Sequence, residues 1–99
     1  MAEKKSKSPV LELEKIIQFD APISVGDVQF HHASLREPTA GEMDDASAKD
    51  GLAWTIALVT SVSGLPLQVV RKFPIRVLNE CAEYLVPFAE SVRPTGQNG

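Results

Sequence analysis

The spacing of apolar residues changes once along the chain, from strand-like to helical. In the first part, Leu13, Ile17 and Phe19 share one parity, as the inward residues of a β-strand do. Residues 25–28 predict a tight turn, because Gly26 supplies the backbone freedom that a hairpin needs. Later apolar residues recur with helical spacing. The pattern predicts an α+β fold, in which an N-terminal β-hairpin precedes a bundle-like half of three or four helices.

The predicted hairpin is irregular. Val28 and Phe30 face the core on the return strand, but Leu35 has the opposite parity. Either a bulge lies within residues 31–34, or the strand twists across two surfaces. Pro22 lacks a backbone N–H, so it places the first strand at an edge of the sheet or ends its first part.

The change from strand to helix falls on one string, Leu35-Arg36-Glu37-Pro38-Thr39-Ala40-Gly41-Glu42-Met43. Pro38 favours an extended conformation at Glu37, which ends the strand. Thr39 and Glu42 have the spacing of a capping box, in which each side chain accepts a hydrogen bond from the other residue's backbone. The string therefore predicts a helix that runs to about Lys49.

Two further helices are predicted in the next part of the chain. Residues 52–63 are apolar around nearly the whole circumference of a helix, so this helix must be surrounded by other elements or by another chain. Gly64 has the position of a C-terminal cap, and Pro66 that of the first residue of a short helix. The short helix is predicted to direct three apolar side chains inward: Leu67, Val70 and Phe73.

The last helix, predicted from Ile75 to about Val92, is apolar over an arc of roughly 200° when each residue advances by about 100°. Packing against a single core needs only about 100°. Part of this helix is therefore predicted to contact another molecule. We expect partner contacts from four aromatic and apolar side chains: Trp54, Val77, Tyr84 and Phe88. For Trp54 and Tyr84, packing in the core is the alternative.

Length and charge limit the remaining possibilities. The 99 residues suit one small domain, which we place at residues 11–92, between tails at 1–10 and 93–99 that are predicted to be disordered. A net charge of −3 argues against nucleic acid as a partner, since phosphate binding needs a concentrated basic surface. No apolar run reaches the roughly 20 residues of a membrane helix. We expect neither nucleic-acid nor membrane binding.

The residues that could carry chemistry are few and scattered. His31 and His32 are adjacent on a strand and so project to opposite faces. Cys81 lies in the apolar stripe of the last helix, where a thiol is normally a packing group, and as the one cysteine it excludes an internal disulfide. We predict no catalytic residue, no metal site and no cofactor, and hence no enzyme.

Residues 35–41, LREPTAG, followed by an acid, resemble the signature of the tail assembly chaperones of long-tailed, mostly contractile bacteriophages. In that family the string follows a short β-hairpin and precedes a helical half. The chain departs from the family pattern at residues 71–74, where an acidic, leucine-rich segment is more common. The resemblance assigns the motif to Leu35, Arg36, Glu37, Pro38, Thr39, Gly41 and Glu42.

The resemblance implies a chaperone that binds the tape measure protein and keeps it soluble until the tail tube polymerises around it. It also implies action in the cytoplasm of the infected or lysogenic host, and absence from the mature virion. A frameshifted longer form is a further partner that it implies. Other copies of the chain are an additional expected partner. The alternative is a small, self-associating helical adaptor or regulator without a client, in which hairpins pair across a dimer.

Overall fold

A computed structural model describes residues 13–92 of the chain. Its elements are β1 Glu14–Val25, β2 Val28–Arg36, α1 Ala40–Ala46, α2 Gly51–Ser63, α3 Leu67–Val70 and α4 Ile75–Val92. The α+β prediction is confirmed, with a hairpin followed by four helices in this part of the chain. The first helix ends at Ala46, before the predicted Lys49, and a turn follows it. The predicted tails at 1–10 and 93–99 lie outside the described residues.

β1 and β2 form a two-stranded antiparallel sheet that closes through a tight turn. Gly26 in this turn has a φ of 61°, a conformation that glycine adopts without strain. Two predicted core residues are exposed instead: Leu13, just before β1, is 73% exposed, and Val28, beside the turn, is 54% exposed. Both lie at the ends of the hairpin, which the helices leave uncovered.

The pairing of the two strands shifts between Gln18 and Ile23, where four residues of β1 lie opposite His31 alone. The predicted irregularity is therefore present, but its extra residues belong to β1 and not to residues 31–34. Pro22 is one of them, and it cannot donate a hydrogen bond to the ladder. The shift lets apolar side chains of opposite parity on β2 reach the same core.

One core joins the inner face of the hairpin to the helices. α2 lies at its centre, since it contacts β2 and each of the other three helices. This position surrounds much of the apolar circumference of α2, and Leu58 and Val59 are fully buried. The first turn of α2 is less covered, and Leu52 there is exposed. Around α2 the core is completed by Ile17, Ile23, Ala33, Leu35, Val69, Val70, Phe73, Val77, Leu78, Cys81 and Leu85.

The connection from α2 to α4 runs through the single turn of α3. Gly64 caps α2 as predicted, with a φ of 71°. The inward side chains that follow are those of Val69, Val70 and Phe73, whereas Leu67, predicted to point inward, is exposed. A single turn directs only about half of its circumference to the core, and the two adjacent valines occupy that half.

Candidate partner interface

The motif string forms a hydrogen-bonded junction between β2 and α1. The Glu42 N–H donates to Thr39 Oγ1 at 3.2 Å, and the Thr39 N–H donates to Glu42 Oε1 at 2.9 Å. The predicted capping box is confirmed. It satisfies N–H groups that the start of α1 would otherwise leave without a partner.

Arg36 joins this capping box to the rest of the fold. Its Nη1 and Nη2 donate to Glu42 Oε1 and Oε2 at 2.8 and 2.7 Å, which makes a bidentate ion pair. Nη2 also donates to the carbonyl of Ser61, in the last turn of α2, at 3.2 Å. One side chain therefore links β2, α1 and α2, while the neighbouring Leu35 is fully buried in the core.

These contacts give most of the motif a structural role, because they fix the hairpin against the helices. The sequence predicted the cap and placed Arg36 in the motif, but it did not predict the contacts of the Arg36 side chain with Glu42 and Ser61. The available signal is an arginine at a strand end, six residues before the glutamate of a capping box. Nothing in the structure requires glycine at position 41, where an added Cβ would meet no atom within 4 Å.

The ion pair changes the protonation of the Glu42 carboxyl group. The hydrogen bonds that the Glu42 carboxylate accepts lower its pKa from 4.5 to about 2. The largest contribution comes from the Arg36 guanidinium, and the next from the Thr39 backbone N–H. In turn, the hydrogen bond to Glu42 raises the pKa of the Arg36 guanidinium. The side chains are 45% and 22% exposed, so solvent screens part of the attraction.

We expect this lowered pKa to make the junction sensitive to acid. A carboxyl group with a depressed folded-state pKa contributes stability above its ordinary pKa and loses it as the pH falls toward the folded value. Between about pH 5 and about pH 2.5, the wild type should therefore lose about 1 kcal/mol more unfolding free energy than Glu42→Gln. Urea denaturation at constant ionic strength measures this difference. Parallel pH profiles for the two proteins would contradict the assigned pKa.

α4 has a narrow buried stripe and a wider outer surface. The inward stripe consists of Val77, Leu78, Cys81, Leu85 and Phe88. Ile75 and Val86, which lie outside it, are 58% and 38% exposed. A shallow surface groove runs along the outer side of the helix, lined by Asn79, Ala82, Glu83, Val86 and Pro87.

The four predicted partner residues divide between core and surface margin. Val77 and Phe88 are 3% and 4% exposed, so their side chains pack inward and present no surface to a partner in this conformation. Trp54 and Tyr84 are half-buried and pack against the core. Among the described residues, the exposed large apolar side chains are others, which the sequence did not single out as contacts: Leu13, Ile16, Val28, Leu52, Leu67, Ile75 and Val86.

Residues 17–90 match the family model described as phage tail assembly chaperone proteins, E, or 41 or 14. The chain belongs to this family. The matched span begins within β1 and ends within α4, so it includes most of the hairpin, the motif junction, the helices α1 to α3 and most of α4. No curated protein and no solved structure matches the sequence.

The remaining reactive side chains of this tail assembly chaperone are dispersed. His31 and His32 are both exposed on β2. Cys81 is buried, and burial raises the pKa of its thiol to about 12. Within residues 13–92, no three His, Cys, Asp or Glu side chains come together as metal ligands would. Over the same residues, no helix combines the length and apolar character needed to span a membrane.

Proposed function

We propose that this phage tail assembly chaperone binds the tape measure protein and keeps it soluble until the tail tube polymerises around it. Family membership over residues 17–90 carries the proposal. A tape measure protein of the kind that the family resemblance implies is long, helical and rich in apolar faces, and such faces aggregate while they are uncovered. The chaperone covers them until subunits of the tube take its place.

The exposed apolar side chains support a shallow, distributed binding surface. Ile16 pairs with Ser34 on the hairpin face opposite the core. Leu52 and Leu67 are exposed at the starts of α2 and α3. Weak contacts at several places along one long client add up through avidity, although each is released easily. This combination suits a chaperone that must yield to the polymerising tube.

Trp54 and Tyr84 are the aromatic side chains that we expect at the margin of this surface, because both residue types are frequent at interfaces and both are half-buried here. Phe88 contacts the Tyr84 ring edge-on, with ring centroids 5.2 Å apart, and so helps to hold the Tyr84 ring in place. Direct client contact by Trp54 and Tyr84 stays a prediction. Contact by Val77 and Phe88 stays one as well, but it requires a conformation other than this one, in which both are buried.

We further propose that the chaperone acts in the cytoplasm of the infected or lysogenic host and is absent from the mature virion. A chaperone that stayed bound to the tape measure protein would occupy the space that the tube must fill. A frameshifted longer form is a further expected partner. Membership in a family of chaperones supports a role without catalysis.

Co-expression with the tape measure protein encoded nearby tests the proposal. We expect the soluble fraction of the client to rise severalfold when the chaperone is present. Ile16→Asp and Leu67→Asp should reduce this gain, because each places a charge in the apolar surface. Gln18→Asp and Gln68→Asp are matched controls, since they add the same charge at exposed positions nearby without removing apolar area.

Unchanged solubility of the client with the wild-type chaperone would contradict the proposed function. A discrete oligomer without affinity for the client would instead favour the self-associating adaptor. Equal effects of the apolar and the control substitutions would argue against the distributed apolar surface while leaving client binding in place.

A further inference from the structure

The outer side of α4 carries a second regular stripe, separate from the one that packs in the core. Its members recur at alternating intervals of four and three residues: Ile75, Asn79, Ala82, Val86 and Ala89. This is the spacing of a coiled-coil contact line, and we call these five residues the outer seam. Ile75 and Val86 are exposed, and the groove on α4 includes Asn79, Ala82 and Val86.

The outer seam is complementary to itself when a second α4 lies antiparallel to it. In one alignment Ile75 meets the partner's Val86, and Asn79 meets the partner's Ala82. Each of these pairs then occurs twice, as a two-fold symmetric interface requires. Small side chains at the middle let the two helices approach closely, and the larger ones close the two ends. Pro87 lies just beyond the paired segment, and its missing N–H removes the helical hydrogen bond to the Glu83 carbonyl near one end of that segment.

The charges beside the seam fit the same alignment. Arg76 follows Ile75 and Glu83 follows Ala82, so the two charges flank the seam on the same side. In the antiparallel alignment Arg76 lies beside the partner's Glu83, and the reciprocal pair forms as well. Among the described residues Glu83 has no ion pair, and Arg76 pairs only with Asp20, on the exposed surface.

We propose that a second copy of this chain docks antiparallel on the outer seam of α4 and forms a two-fold symmetric dimer. The reciprocal charge pairs favour a second copy, because this chain itself supplies both members of each pair. The proposal stands independently of the proposed client, since it uses only the pattern and exposure of α4. It gives the surplus apolar surface of this helix a partner in the free protein.

Charge reversal on the full-length chain tests this dimer, with molar mass measured by analytical ultracentrifugation. The wild type should show twice the 10.7 kDa of the single chain at tens of micromolar. Arg76→Glu and Glu83→Arg should each weaken dimerisation about tenfold, and the double variant should recover it to within about threefold. The two positions are seven residues apart, about 10 Å along one helix, so they cannot pair within a chain.

Ala82→Arg should also give the monomer, because it places a long cation at the middle of the seam. Ala53→Arg is the matched control on the exposed side of α2 and should stay dimeric. A monomeric wild type, a dimer that survives Ala82→Arg, or a double charge reversal no better than the single ones would each overturn the proposal. Seam variants that lose the client without changing the mass would overturn it too, since the seam would then hold the client.

Discussion

Val77→Asp is expected to prevent folding. Its side chain is 3% exposed and belongs to the inward stripe of α4. An aspartate there would place a carboxyl group among apolar side chains with no partner, which costs several kcal/mol. That cost is comparable with the whole stability of a small domain. Circular dichroism should show reduced helical signal and no cooperative transition in urea.

Val86→Asp is the matched control, because it makes the same change on the same helix at a position that is 38% exposed. At a protein concentration low enough to keep the chain monomeric, it should change the free energy of unfolding by less than about 1 kcal/mol. A Val77→Asp protein with a cooperative transition and an unchanged midpoint would show that Val77 does not lie in the core.

The contrast between these two valines marks what the sequence of α4 could predict. Periodicity located the helix and showed that its apolar arc is wider than one core needs. It could not show which part of a roughly 200° arc faces inward, since packing needs only roughly 100° and any half of the arc is equally apolar. The direction is set by α2 and β1, which contact α4 from far along the chain.

At the motif too, the contacts between neighbours in the sequence could be predicted, and the contacts between distant residues could not. The capping box of Thr39 and Glu42 lies within one helical turn, so spacing alone predicted it. The bond from Arg36 to the Ser61 carbonyl spans 25 residues, and nothing local signals it. In the hairpin, the parity break was visible on β2, but the extra residues lie in β1, because pairing geometry belongs to both strands.

Arg36→Ala is expected to lower the free energy of unfolding by about 2 kcal/mol, since it removes a bidentate ion pair and leaves Glu42 Oε2 and the Ser61 carbonyl without the donor that Arg36 supplies. The loss should exceed that of an ordinary surface ion pair, because this guanidinium joins three elements of the fold. Urea denaturation at neutral pH measures it.

Two controls separate geometry from charge at this junction. Arg36→Lys keeps the charge and should recover only part of the loss, because an ammonium cannot reproduce the two parallel bonds to Glu42. Asp20→Asn removes the exposed ion pair with Arg76 and should cost less than about 0.5 kcal/mol. If Arg36→Lys were as stable as the wild type, charge alone would account for the junction. The expected partial recovery instead identifies the fork of the guanidinium as the element that holds hairpin and helices together.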